Sequence, residues 1–131
     1  MAYAMESAKE QEYMRLTFLG IVTRSILDRA LADIYHELIR NGWYKIFVDT
    51  TRSELIISPT ELFVFVRIFR SKFLMDATIV VLGRPDQMEM VRFIDNIPYN
   101  RMDLRSYVDE DLAHEWLVKR SRQMRQSAWK L

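Results

Sequence analysis

Residues Ile56 to Phe73 read IISPTELFVFVRIFRSKF, a stretch with the side chains of a strand and the opening of a helix. Phe, Val and Ile favour strands, and LFVFVRIF contains little else. Two start signals oppose that propensity. Pro59 suits the first helical position, and Ser58 with Glu61 three residues on has the spacing of a capping box, in which each side chain bonds the other residue's backbone N–H. Burial routinely overrides weak propensity, so the stretch is predicted to be a helix from Pro59 to Phe73. At about 100° per residue, Leu62, Phe65, Val66, Phe69 and Phe73 share one face, while Val64, Ile68 and Met75 fall nearly opposite, with Phe63 on the flank. A surface helix is normally polar there. Phe63, Val64, Ile68 and Met75 are therefore the expected interface residues, and the cheapest cover for them is a second copy in a homodimer.

Working outward, the same reading gives alternating elements. YMRLTFLG sets Tyr13, Arg15 and Thr17 against Met14, Leu16 and Phe18, which predicts a strand in a hairpin with Tyr3 to Ser7. Leu27, Leu31, Ile34 and Leu38 recur at helical spacing between a cap at Thr23 or Ser25 and Asn41-Gly42. WYKIFVDTT and DATIVVLG read as buried strands, RPDQMEMVRFIDNI as a helix, MDLRSYV as a last strand and DEDLAHEWLVKRSRQM as a last helix with acidic residues first and basic ones later. The expected fold class is α/β: a mostly parallel sheet of about five strands with an N-terminal hairpin and four helices, in one domain over residues 1–131.

Composition narrows the function. Nineteen Lys and Arg against eighteen Asp and Glu give a net charge of +1, so nothing global favours nucleic acid. The chain has no cysteine and no apolar run near the roughly 20 residues of a membrane span, and its first residues do not read as a signal peptide; a cytoplasmic protein is expected. His36 and His114 fall on separate helices, away from each core stripe, and no metal-ligand spacing occurs. Three dispersed glycines make no phosphate-binding loop. LGRPDQ places a helix start and Arg84 after a strand, where an anion can sit, but such junctions are ordinary connections in α/β proteins. Asp49 reads as the end of its strand, and Asp109-Glu110-Asp111 as helix-start charges. No catalytic residue, cofactor or metal is expected. The basic helical tail, residues 119–131, carries Lys119, Arg120, Arg122, Arg125 and Lys130 without an acid; it reads as the solvated end of a helix rather than a site for anionic lipid or nucleic acid.

Three stretches carry a family likeness. MRLTFLGIVT (Met14–Thr23) resembles the first-strand segment of the STAS family, the anti-sigma-factor antagonist-like domains. IFVDTTRSELIISPTEL (Ile46–Leu62) resembles that family's second core strand, ending in Asp, with the loop and helix start that follow. LRSYVDEDLAHEWL (Leu104–Leu117) is similar to the closing strand and helix of the SpoIIAA-like branch, also described as STAS/SEC14-like. The resemblance implies a SpoIIAA-like fold and a non-catalytic regulatory module that binds a protein partner. Its alternative is a small hydrophobic ligand or lipid held between the Pro59 helix and the last helix. Sporulation-type antagonists carry Asp-Ser-Ser-Gly at the second core helix, where a partner kinase phosphorylates a serine. This chain has Ser58-Pro59-Thr60-Glu61 instead, so Ser58 and Thr60 stand as helix cap or phosphosite without the family's motif.

Overall fold

The computed structural model describes residues 2–72, 77–87, 89, 92 and 103–120. Five strands, β1 (Tyr3–Ala8), β2 (Tyr13–Val22), β3 (Lys45–Leu55), β4 (Thr78–Leu82) and β5 (Asp103–Tyr107), form one sheet in chain order, antiparallel between β1 and β2 and parallel thereafter. Helix α1 (Arg24–Asn41) follows β2 and α2 (Pro59–Lys72) follows β3. Helical backbone at 85–87, 89 and 92 is α3, and α4 (Glu110–Lys119) follows β5. The α/β class, the hairpin and the mostly parallel sheet are as anticipated.

Local signals account for most boundaries. The Thr23 hydroxyl accepts from the Ile26 amide at the start of α1. Gly42, at φ 71°, closes that helix, its amide donating to the Ile39 carbonyl. That left-handed conformation is costly for any residue with a Cβ. The stripe Leu27, Leu31, Ile34 and Leu38 is buried as its spacing requires.

The strands carry two cores on opposite faces. Met14, Leu16 and Phe18 of β2, Ile46 and Val48 of β3 and Ile79 of β4 join the α1 stripe with Leu62 and Phe65 of α2. The alternate residues Tyr13, Phe47, Val80 and Leu82 meet Ala113 and Leu117 of α4. Strand residues alternate in direction, so α2 and α4 have the sheet between them. Among the described residues, the sheet thus stands between the two helices expected to flank a small hydrophobic ligand or lipid.

Three boundaries differ from the expectation. β2 continues through Gly20 to Val22. Gly20 has φ 70° with nothing near the place of a Cβ, so the position selects glycine for its backbone and not for space. β3 runs on through the polar TTRSEL, with a bulge: between the pairs Thr17–Asp49 and Leu19–Arg52, β2 has Phe18 alone while β3 has Thr50 and Thr51. Finally, α4 stops at Lys119 instead of running to Met124. Arg120 is extended (φ −74°, ψ 131°), and its guanidinium reaches back to both carboxylate oxygens of Asp103, at 2.7 and 2.8 Å. Residues 121–131 of the tail, and Phe73 at the end of the Pro59 helix, lie outside the described residues.

Candidate functional site

The start of α2 is built from three elements. β3 delivers the chain through Leu55. The Ile56 amide donates to the Val22 carbonyl at 2.9 Å, continuing the β2 pairing one residue beyond the strand, and the buried Ile57 side chain anchors the loop in the α1–α2 core. Ser58 then caps the helix. Its Oγ accepts from the Glu61 amide at 3.1 Å, its own amide donates to Glu61 Oε1 at 3.2 Å, and its carbonyl accepts from the Leu62 amide at 3.0 Å. From α1, Arg24 braces the first turn: Nη1 donates to the Glu61 carbonyl at 3.4 Å, Nε to Asp28 Oδ1 at 3.1 Å, and the guanidinium lies 5.5 Å from the centre of the Phe65 ring.

Ser58, Thr60 and Glu61 are exposed. So, at the same end of the molecule, are several apolar side chains: Ile21 (58%), Ile56 (56%), Val64 (41%) and Leu55 (38%). Of the residues expected at an interface, Val64 is thus open to solvent; the side chains of Phe63 and Ile68, and all of Met75, lie outside the described residues. Sequence reasoning missed Ile21, Leu55 and Ile56, because strand-like residues at a strand end look no different from buried ones until the ends of neighbouring strands are known.

A second polar cluster lies near the C-terminal ends of the parallel strands, where α/β folds usually hold ligands. Arg15 Nη2 donates to Asp49 Oδ2 at 2.8 Å and to Glu110 Oε1 at 3.3 Å, and its guanidinium sits 4.5 Å from the Phe47 ring centre. Asp49 Oδ1 accepts from the Thr51 amide and hydroxyl. Burial pushes the Asp49 carboxyl up, but the Thr51 and Arg15 hydrogen bonds outweigh it and hold the group below the usual carboxylate range. Both oxygens are thus committed, which suits a structural anchor and not a base that must pick up a proton. Arg84, the cation noted as able to assist an anion, is equally committed: Nη1 donates to the Thr51 and Ser53 carbonyls and Nε to Asp86. Together with Gln87 Nε2, which donates to Thr50 and Ser53, it covers the part of β3 that projects past β4.

Among the described residues, no three His, Asp or Glu stand where they could hold a metal, and no helix is long and apolar enough to cross a membrane. His36 is exposed, while His114, expected away from the core, is half-buried edge-on against Tyr13 at 5.7 Å. A shallow groove of about 340 Å³ runs beside α4, lined by Tyr107, Leu112, Glu115, Trp116, Lys119 and Arg120.

No family model matches the sequence, and no curated protein matches it. Solved structures do. An uncharacterized protein of the DUF3478 family with a SpoIIAA-like fold, from Shewanella loihica PV-4, superposes with a TM-score of 0.59 over 88% of this chain and 92% of its own, at 15% identity. The anti-sigma factor antagonist SpoIIAA in its unphosphorylated form gives 0.57 over 91% and 100%, at 12% identity. The fold is SpoIIAA-like. The Bacillus cell fate determinant SpoIIAA in its phosphorylated form gives 0.54 over 87% and 98%, again at 12% identity. At such identities the likeness concerns the fold. Within the SpoIIAA-like fold of this chain, the second core helix is α2, and its first turn carries the Ser58 cap.

Proposed function

We propose that this chain is a non-catalytic, STAS-type regulatory module of the cytoplasm that recognises protein through the outer surface of α2, where it pairs with a second copy of itself. The observation that carries the proposal is the group of exposed apolar side chains, Ile21, Leu55, Ile56 and Val64, at the end of the molecule where α2 begins. Water-exposed apolar clusters of this kind mark contact surfaces more often than isolated residues do. The charges beside them are of both signs, Arg52 and Glu54 on β3 and Arg24 and Glu61 at the helix starts, as a two-fold contact needs when each patch meets its own copy.

Regulation would act at the exposed hydroxyls of Ser58 and Thr60. A phosphate on Ser58 would sit at the favourable end of the helix dipole, yet it would also stand beside the Glu61 carboxylate that closes the capping box. SpoIIAA itself is known in an unphosphorylated and a phosphorylated form. Intact-mass measurement of the protein purified from its own cells bears on this point, and an unmodified chain under all growth conditions would remove it.

The central test is light scattering on a size-exclusion column, for the wild type and for Val64→Glu/Ile68→Glu. A dimeric wild type and a folded monomeric variant are expected. A monomeric wild type would overturn self-association and leave the surface to a different protein, to be sought by cross-linking.

A further inference from the structure

β5 is the last strand of the sheet, and among the described residues nothing pairs with its outer side. The Gly83 amide donates to the Tyr107 carbonyl at 3.0 Å, so the main chain of Tyr107 is turned towards β4. Main-chain direction alternates along a strand. Asp103 and Arg105 therefore turn the same way, and the N–H and C=O groups of Leu104 and Ser106 point out from the edge. Such an edge is a template for one more strand, and proteins often blunt it with Pro, Lys or a bulge. The strand DLRSY has neither Pro nor Lys, and its register with β4 is continuous.

The groove of about 340 Å³ runs between this strand and α4, with Leu112, Trp116 and Lys119 at helical spacing on one side and Tyr107 on the other. Arg105 and Tyr107 face α4, because their register neighbours Val80 and Leu82 pack on that helix. Trp116 stands between two guanidiniums, that of Arg105 at 5.9 Å and that of Arg120 at 5.4 Å from its ring centre. Arg120 is committed to Asp103, and Lys119 to Glu115. Arg105 is exposed, and it meets no carboxylate among the described residues. The groove thus joins an aromatic and apolar wall, a row of free main-chain groups and a cation without its counter-charge.

A second copy fits this edge poorly. The antiparallel two-fold pairing that uses the outward groups of both Leu104 and Ser106 sets the Arg105 side chains of the two copies directly opposite each other, and like charges so placed repel. An acid at that position does the reverse. We infer that the β5–α4 groove receives an extended segment of a different protein, added to the sheet as a strand beside β5, with a carboxylate opposite Arg105 and an apolar side chain against Tyr107, Leu112 and Trp116. Main-chain bonds to Leu104 and Ser106 supply affinity, and the alternate side chains supply choice of partner. The inference goes beyond the α2 surface, which lies across the sheet from this groove.

The test is amide NMR on the full, isotope-labelled chain, titrated with an end-capped peptide of alternating Glu and Val, about six residues long as strands usually are. Two controls are the same peptide with Lys for Glu and a fully N-methylated version, which donates no hydrogen bond. Saturable shifts of the Leu104 and Ser106 amides and of the Trp116 indole N–H are expected with the Glu/Val peptide alone. Arg105→Glu, at an exposed position, should weaken that binding about fivefold, while Val64→Glu/Ile68→Glu leaves it unchanged. Absence of shifts at Leu104 and Ser106, or equal binding of either control, would overturn the inference. So would a mass that falls from dimer to monomer in Arg105→Glu/Leu112→Glu, which would give the groove to a second copy instead.

Discussion

The two faces of the sheet are held by different physics. On the α1–α2 face the contacts are almost wholly apolar: Leu16, Ile34 and Ile46 have no exposed surface, and the helix stripe meets the strand stripe. On the α4 face a smaller apolar cluster of Tyr13, Phe47, Val80, Leu82, Ala113 and Leu117 is framed by charge at both ends. Arg15 with Asp49 and Glu110 holds the top of α4; Asp103 with Arg120, and Lys45 with the Val118 carbonyl, hold its foot. Apolar burial scales with area and is indifferent to direction, whereas an ion pair has a defined geometry and loses most when one partner is removed. The first face therefore supplies stability, and the second fixes where a short helix lies.

The largest expected effect comes from the apolar face. Leu16→Ala should lower the unfolding free energy by about 2–5 kcal/mol, read from the denaturant midpoint, because a fully buried site beneath α1 cannot collapse around the lost atoms. A loss under ~1 kcal/mol would mean that this core is loosely packed and would remove the contrast. Next is Asp49→Ala, with an expected cost of about 1–3 kcal/mol: the pair is mostly buried, but Arg15 keeps a quarter of its side chain in water and retains Glu110. Its amide-exchange signature should concentrate in the first turn of α4 and leave α1 unchanged.

Acid sharpens the same contrast. Because the folded Asp49 carboxyl is held below its unfolded value of roughly 3.9, its contribution is complete above that pH and is lost as pH falls through the folded value. The stability gap between wild type and Asp49→Asn should accordingly narrow from pH ~5 towards ~2 in urea titrations, while the effect of Leu16→Ala stays constant. A gap that stays constant would show that Asp49 contributes by packing and not by charge. The smallest effect belongs to α2: Ser58→Ala removes one of the two capping-box bonds and should cost about 0.5–2 kcal/mol. Ser58→Asp, which restores an acceptor, should recover most of it if capping is the residue's structural role.

The α1–α2 face was legible in the residues because its signals are local. The Thr23 cap, the Gly42 stop, the 3.6-residue stripe of α1 and the period-two alternation of β2 each occupy a few consecutive positions. The disputed stretch at Pro59 resolved as a helix for the same reason, its start encoded in Ser58, Pro59 and Glu61. The exposed group around that start was only partly legible. Val64 followed from its angle on the helix, but Ile21, Leu55 and Ile56 depend on how far β2 and β3 project past β4. The early end of α4 was hidden as well, since nothing near Arg120 in sequence marks Asp103 as its partner.

By itself, then, the chain determined its elements, their order and the face that each of α1 and α2 must cover, because caps and periodicities act within a few residues and crossovers of one hand carry successive helices to the same side. Among the described residues no strand comes after α4, so no crossover of the described sheet places it. Its position was decided only in three dimensions, by the strand residues left over on the opposite face and by ion pairs such as Arg15–Glu110, which join positions 95 residues apart. Contacts of that separation leave no periodic trace in sequence, because their geometry exists only after the sheet has formed.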